Sequence, residues 1–289
     1  MYMEEVHLIM HSPLEIAKNY VDIGIHKTRL SAFKMILLGF FAGMFISFAG
    51  VAASTASTTL GQTSPGRLIA AIIFPAGMAM VLIAGSELFT GNILIVISVL
   101  EKKVSVLKML KNWLCVYIGN FLGALFVSVL VTYGHVPNLF GGDLAYGIVN
   151  SGVTRTDLTF GDSFAKGILC NILVCLAVWM AFASKQVSGK VMISFWPVMI
   201  FVLCGFEHCI ADMYYCLCGI FTAAEYGIEA GSLTFSNFIT HNLIPVTLGN
   251  LIGGLIVGVG YWLAYLAHTP YYKYNVEQEQ QDIDISEEY

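Results

Sequence analysis

The sequence predicts an all-α integral membrane protein with six transmembrane helices. Of its 289 residues, 57% are hydrophobic and only 11% are charged, and apolar runs long enough to cross a bilayer recur along the chain. Two of these runs are interrupted by glycine, one further residue and glutamate, at residues 85–87 and 205–207. An ionisable side chain at membrane depth costs at least about 2.5 kcal/mol, so it usually faces a cavity or a protein partner. The matched interruptions therefore predict a pathway through the protein.

The two ends of the chain are expected to lie outside the bilayer. Residues 13–30 place Leu14, Ala17 and Val21 at helical spacing among charged residues, which is typical of an amphipathic helix on the membrane surface. The last residues are rich in acidic side chains, as a solvated disordered tail would be. The predicted divisions are a cytoplasmic N-terminal segment over residues 1–30, a transmembrane domain over 31–268 and an acidic cytoplasmic tail over 269–289.

The apolar runs define six crossings, of which the second and the fifth are broken at the glycines. They cover residues 35–54, 68–100, 113–133, 167–183, 191–223 and 243–267. Residues 93–100, after the first break, would form only about 12 Å of helix, which is too short to cross the bilayer separately. Six crossings also put nearly all the lysines on one side and leave Arg67 and Arg155 on the other. By the positive-inside rule, both termini are expected to be cytoplasmic.

An internal repeat relates the two halves of the chain. Residues 111–123 resemble residues 241–253, with two asparagines and two glycines in register. Each of these segments follows a break, and a fainter match aligns Ser31 with Ser163 ahead of the breaks. Three crossings in each half require the halves to insert with opposite orientation. An inverted 3+3 repeat with broken helices predicts a transport site near the bilayer midplane.

Three residues at the breaks are the first candidates for chemistry. His208 lies at the second break and has an unperturbed pKa of about 6.5, so it can exchange a proton near neutral pH. The alternative is a histidine that only holds the loop backbone. Glu87 and Glu207 occupy the same place in each half, and we expect them to accept hydrogen bonds from backbone N–H groups freed at the breaks.

Polar side chains near the breaks have both a functional and a structural interpretation. Thr90 carries a hydroxyl that can donate to a substrate or to the histidine, or it is a simple loop threonine. Asn171 and Asn250 interrupt apolar helices, where an amide usually bonds to a neighbouring helix for about 0.6 kcal/mol. Lining of a pore is the alternative for these two asparagines.

Several classes of protein are disfavoured. The seven cysteines lie almost entirely in apolar surroundings and predict small buried side chains, so no metal or cofactor is expected. A membrane enzyme with His208, His241 and His268 as ligands is a rival, but neither His-Glu-x-x-His nor Gly-x-Ser-x-Gly occurs. No segment resembles a nucleic-acid patch. A water or glycerol channel is the nearest rival in architecture, although the paired Asn-Pro-Ala boxes of that class are missing.

Four motifs in this order resemble the formate/nitrite transporter family. They are GSELFT over residues 85–90, CNILVCLAVW over 170–179, GFEH over 205–208 and NLIPVTLGN over 242–250. The resemblance runs from about residue 31 to residue 267. It implies a homopentamer of aquaporin-like protomers in a lipid bilayer, each protomer with its own pore for small monovalent anions or their acids.

The resemblance also implies a role for individual residues by position. Phe89 and Thr90 match the loop that interrupts the second helix, His208 the central histidine, Phe74, Met78 and Phe201 the hydrophobic constrictions, Asn171 and Asn250 the paired pore asparagines, and Arg155 a vestibule cation that attracts anions. The function expected is transport of formate, or of acetate, lactate, nitrite or hydrosulfide, as a proton-coupled anion or a neutral acid by way of the central histidine. His208 with Thr90 would supply or relay the proton, or would instead attract the anion electrostatically. The plasma membrane is the expected location.

Overall fold

A computed structural model describes residues 10–267 and confirms the six-crossing, all-α prediction. Within that range, six helices are long and apolar enough to cross a membrane. They cover Ala32–Leu60, Ser64–Ala84, Val106–Tyr133, Phe160–Ala183, Val187–Cys204 and Phe235–Tyr265. The predicted acidic tail and His268 lie outside the described residues.

The helices are numbered here in chain order. They are α1 (Pro13–Arg29), α2 (Ala32–Ser57), α3 (Ser64–Ile73), α4 (Pro75–Ala84), α5 (Phe89–Asn92), α6 (Val96–Leu100), α7 (Val106–Tyr133), α8 (Asp143–Thr156), α9 (Phe160–Ala183), α10 (Val187–Cys204), α11 (Cys209–Tyr226), α12 (Phe235–Asn237) and α13 (Ile244–Tyr265). A 3₁₀ turn, Ile93–Ile95, joins α5 to α6, and a π-helical turn, Phe238–Leu243, joins α12 to α13.

The two breaks have the same local cause. Helix α4 ends at Gly85 with φ 79°, and helix α10 ends at Gly205 with φ 68°. Both values fall in the left-handed region, which glycine adopts without the steric penalty of a Cβ atom. Each glycine is followed by three non-helical residues before the next helix begins at Phe89 or Cys209. The sequence therefore ends both helices at a glycine, and the next helix begins four residues later.

Glycines bring the first and third crossings of each half into backbone contact. A Cβ atom placed on Gly39 of α2 would lie 2.7 Å from the carbonyl oxygen of Val116 in α7. The equivalent atom on Gly167 of α9 would lie 2.8 Å from the carbonyl oxygen of Val246 in α13. Small residues permit such close helix approach in membrane proteins. The same crossing is thus built twice, once in each half.

These contacts correct the register of the fainter sequence match. Because Gly39 corresponds to Gly167, Ser31 corresponds to Thr159 and not to Ser163. Both residues are helix N-caps: the side chain of Ser31 accepts from the N–H of Lys34, and that of Thr159 accepts from the N–H of Asp162. The predicted alignment was therefore wrong by about one helical turn, where similar side chains recur on the same face.

Helix α1 forms where the amphipathic pattern predicts it, but its apolar face packs on protein. Ala17, Tyr20 and Val21 are buried, and the helix contacts the chain that follows the first break. The hydroxyl of Ser98 donates to the carbonyl oxygen of Val21 at 2.9 Å, and the Tyr20 hydroxyl donates to the carbonyl oxygen of Gly91 at 3.3 Å. A position on the lipid surface, as predicted, would leave these bonds unmade.

The glycine crossings give a first prediction. Gly39→Ala and Gly167→Ala should each lower the free energy of unfolding by about 1–3 kcal/mol, because the added methyl group meets a backbone oxygen that cannot rotate away. Thermal unfolding of the purified protein in detergent measures the effect. Gly260→Ala is the control, since a Cβ atom there meets nothing within 4 Å. Equal melting temperatures for all three variants would contradict the prediction.

Candidate functional site

Two cavities approach the breaks from opposite ends of the second crossing. The first lies along α3 and is lined by Arg67 and Phe74, with a volume of about 160 Å³. The second lies along α4 and is lined by Met78 and Gly85, with a volume of about 310 Å³. The first is called here the α8-side vestibule, because Ser151 and Arg155 of α8 line it. The second is called the α1-side vestibule, because Tyr20 and Lys27 of α1 line it.

Apolar side chains occupy the region between the two vestibules. Phe74 and Phe201 pack edge to face with ring centroids 5.9 Å apart, and both line the α8-side vestibule. Met78, one helical turn beyond Phe74, lines the α1-side vestibule. All three side chains are buried. The residues predicted as constrictions therefore lie together at the inner ends of the two vestibules.

Thr90 and His208, one from each break, meet in this region. The Thr90 Oγ1 atom lies 2.9 Å from Nε2 of His208, and both residues are buried. The N–H of Ala211 donates to Nδ1 of the same imidazole at 3.1 Å, so His208 also caps the start of α11. An Nδ1 atom that accepts a hydrogen bond carries no proton, which assigns the proton of the neutral ring to Nε2. The imidazole therefore donates to the Thr90 hydroxyl.

The backbone of Thr90 is fixed by the fourth crossing. Asn171 Nδ2 donates to the carbonyl oxygen of Thr90 at 3.3 Å and to that of Asn250 at 2.6 Å. The thiol of Cys175 donates to the Thr90 carbonyl oxygen at 3.4 Å. Asn171 thus connects the first break to the sixth crossing. Its Oδ1 atom is buried without a partner among the described residues.

Asn250 braces the second break through three hydrogen bonds. Its Oδ1 atom accepts from the N–H of Cys209 at 3.0 Å, and its Nδ2 atom donates to the carbonyl oxygens of Gly167 and Glu207 at 2.8 and 3.0 Å. Its structural counterpart is Asn120 rather than Asn171. Sequence reasoning assigned Asn120 no role, although the repeat had already aligned it with Asn250.

Asn120 makes the same three bonds at the first break. Its Oδ1 atom accepts from the N–H of Phe89 at 3.0 Å, and its Nδ2 atom donates to the carbonyl oxygens of Gly39 and Glu87 at 2.8 and 2.9 Å. The Phe89 side chain packs against Tyr117 with ring centroids 4.9 Å apart, and it lines neither vestibule. Phe89 therefore contributes its backbone to the break, and its place on a substrate pathway stays a prediction.

The two glutamates bind cations instead of backbone N–H groups, which corrects the sequence expectation. Lys27 Nζ lies 2.8 Å from both carboxylate oxygens of Glu87, and Asn92 Nδ2 donates to Glu87 Oε2 at 2.6 Å. Arg155 Nε lies 3.6 Å from Glu207 Oε2. The physical reason is that a broken helix exposes both N–H and C=O groups. An amide can pair with both kinds of group, whereas a carboxylate only accepts.

The glutamates belong to matching polar clusters that differ in charge. The cluster of the first break contains Lys27, Glu87, Asn92 and Asn112, and that of the second contains Arg155, Glu207, Asp212 and Asn242. Asp212 stands where the first cluster has an asparagine, so the formal charges sum to zero in the first and to −1 in the second. Sequence reasoning assigned Asp212 no role. The only signal in the sequence was a charged residue within an apolar run.

Six apolar crossings, two of them interrupted between facing vestibules and joined there by a polar pair, define a membrane channel or transporter. The chain belongs to the formate/nitrite transporter family, and the sequence pattern of that family matches residues 14–263. It is 36% identical over 274 residues to the Formate channel FocA of Escherichia coli (strain K12). The aligned region covers 90% of this chain and 96% of that protein. It is 35% identical to the Probable formate transporter of Methanothermobacter thermautotrophicus, over 88% and 97% of the two chains.

Solved structures agree with this assignment. A structure described as a pentameric formate channel with formate bound superposes with a TM-score of 0.73 at 36% identity, over 81% of this chain and 98% of that one. An FNT family ion channel superposes with a TM-score of 0.74 at 27% identity, over 86% and 98% of the two chains. The family resemblance read from the four motifs is confirmed.

The asparagine braces give a second prediction. Asn120→Asp and Asn250→Asp should each reduce the free energy of unfolding by about 2 kcal/mol or more, because the new oxygen would face two carbonyl oxygens at a buried site. Asn138→Asp serves as a control at an exposed position. Thermal unfolding and the yield of assembled protein are the measurements. Stability unchanged in both brace variants would refute this role.

Proposed function

We propose that the protein transports small monocarboxylates and similar monovalent anions, formate first among them, together with a proton. The observation that carries the proposal is the buried Thr90–His208 pair between two vestibules. The relatives described as formate channels or a formate transporter support formate as the substrate. The similar solved structure, described as a pentameric formate channel, supports a homopentamer, and we propose that each protomer has its own pore.

The apolar region determines the form in which a substrate crosses. An anion that passes Phe74, Met78 and Phe201 loses its water and meets buried apolar side chains. Removing a charge from water without a partner is far more costly than removing a neutral acid. The same desolvation raises the pKa of a carboxylic acid as it enters, which favours its protonated form. Transport of the neutral acid, equivalent to anion and proton together, is therefore the cheaper route.

The hydrogen bonds of His208 favour an indirect role for the imidazole. Its Nε2 proton is directed at Thr90, and its Nδ1 atom is already occupied by the Ala211 N–H. A neutral imidazole arranged in this way is a poor source of protons, because losing the Nε2 proton would leave an anionic ring. It instead makes the Thr90 oxygen an acceptor, so the threonine O–H is free to donate to a substrate oxygen. We infer that the proton travels with the substrate and that the pair stabilises its polar end.

The charge distribution supports an orientation. Lysines are concentrated at the end of the protein that carries α1, so this end is proposed to face the cytoplasm. The α1-side vestibule then opens to the cytoplasm and the α8-side vestibule to the outside. The plasma membrane is the proposed location.

A third prediction tests the hydroxyl of Thr90. Thr90→Val should reduce the rate of labelled formate uptake into proteoliposomes by about tenfold, the equivalent of one lost hydrogen bond. Thr90→Ser keeps the hydroxyl and should retain most of the activity. Valine and threonine are similar in shape, so the pair of variants separates hydrogen bonding from packing. If the valine variant matched the serine variant, the hydroxyl would have no role in transport.

A fourth prediction concerns proton coupling. Formate uptake should rise when the outside of the vesicle is made acidic, and a protonophore should remove that gain. Vesicles without protein are the control for acid that crosses the lipid directly. Uptake that is insensitive to a proton gradient would exclude proton-coupled transport.

Two further assays address the alternatives. Osmotic swelling of the same vesicles tests for a water channel. The uptake protocol repeated with acetate, lactate, nitrite and hydrosulfide determines the substrate range.

His208→Asn in the same assay tests the indirect role of the imidazole. Asparagine can still cap α11 at this position, but it lacks the imidazole that orients Thr90. Uptake should therefore fall while the dependence on the proton gradient remains. A variant that still transports formate but no longer responds to the gradient would instead show that the imidazole supplies the proton.

A further inference from the structure

We propose that Arg67, and not Arg155, is the cation that attracts anions to the α8-side mouth of the pore. The sequence and its resemblance to the family pointed to Arg155. In the α8-side vestibule, however, Arg155 is paired with carboxylates and Arg67 is not. This inference rests on the proposed function, because it concerns how an anionic substrate first enters the same pathway.

Arg155 is already neutralised by its neighbours. Its Nε atom lies 2.9 Å from Asp212 Oδ1 and 3.6 Å from Glu207 Oε2. Its Nη1 atom donates to the carbonyl oxygen and the hydroxyl of Ser151 at 2.7 and 2.8 Å, and the guanidinium carbon lies 3.9 Å from the centroid of the Tyr215 ring. Two carboxylates therefore face this one guanidinium, and its charge is balanced within the cluster. Little of its positive charge is left to attract an approaching anion.

Arg67 lines the same vestibule and has no such partner. Among residues 10–267, no hydrogen bond or ion pair to its guanidinium is present. The group lies against Gly205 at the second break, where any Cβ atom would collide with Nη2 of Arg67. Glycine at this position serves the left-handed turn, and its lack of a side chain leaves the room that the guanidinium occupies. The planar array of N–H donors remains available for a carboxylate, which matches it geometrically.

The location of Arg67 fits the first step of entry. It precedes Phe74 by seven residues of helix, or about 10 Å along the axis. Phe74 contacts Phe201, and the Phe201 ring lies 5.9 Å from the imidazole of His208. An anion bound at Arg67 would therefore lie in the vestibule, just before the apolar region that begins at Phe74. Because Arg67 is exposed to water, the pairing is weak enough for the substrate to move on.

The test compares variants of Arg67 in formate uptake by proteoliposomes at substrate concentrations below saturation. At low ionic strength, Arg67→Gln should reduce the initial rate by about two- to fivefold, whereas Arg67→Lys should stay close to the wild type. The difference should disappear near 0.5 M salt, where the screening length is roughly 4 Å. The maximal rate at saturating formate should not change. Equal low-salt rates for Arg67→Gln and the wild type would overturn the inference.

A second variant tests the neutralisation of Arg155. Asp212→Asn removes one of the two carboxylates that face Arg155, and it leaves the second cluster, like the first, with one cation, one glutamate and two asparagines. The double variant Arg67→Gln/Asp212→Asn should therefore recover low-salt uptake toward the wild-type rate. A double variant no faster than Arg67→Gln would overturn the claim that Asp212 cancels Arg155. Arg155→Gln is unsuitable as a sole test, because it leaves two buried carboxylates unpaired.

The outcomes for this inference and for the proposed function are distinguishable. If the wild type fails to take up formate under any gradient, the proposed function is wrong. If the wild type transports formate and the Arg67 variants follow it at every salt concentration, only the inference about Arg67 is wrong. Gel filtration and the melting temperature of each variant establish that the folded assembly is intact.

Discussion

The fold depends on satisfying the backbone where two helices stop inside the membrane. Each break frees backbone N–H and C=O groups at a depth where lipid offers no hydrogen-bond partner. Asn120 and Asn250 meet this demand with one amide each, accepting one N–H and donating to two carbonyl groups. The glycine crossings hold the asparagine-bearing helices close enough for these bonds. Close helix packing at the glycines and hydrogen bonding of the freed backbone groups thus depend on each other, and both occur in each half of the chain.

Much of this arrangement could be predicted from the sequence. Hydropathy alone defines six crossings, and the glycines define where two of them stop. The position of His208 at a break marked it as a candidate. What escaped prediction was the pairing of side chains far apart in sequence, such as Lys27 with Glu87 and Arg155 with Asp212. A single sequence gives no distance between such residues, so the glutamates were assigned to the nearest unsatisfied groups, the loop N–H donors.

The two halves share a scaffold and differ in the groups placed on it. The clusters at the two breaks have the same design, yet one contains asparagine where the other contains Asp212. Thr90 comes from one half and His208 from the other, and neither has a chemically similar residue at the matching position of the opposite half. Symmetry thus accounts for the stability of the interruptions. The departures from symmetry give the two breaks different polar and charged side chains.

The order of the paired charges along the chain bears on biosynthesis. In each half, the cation comes before its carboxylate in the chain: Lys27 precedes Glu87 by 60 residues, and Arg155 precedes Asp212 by 57. A chain made from its N-terminus therefore always contains the positive partner before the negative one enters the bilayer. Each carboxylate can be neutralised as soon as its segment inserts, without waiting for later helices. Helix α1 supplies that partner for the first half, although it is not among the six crossings.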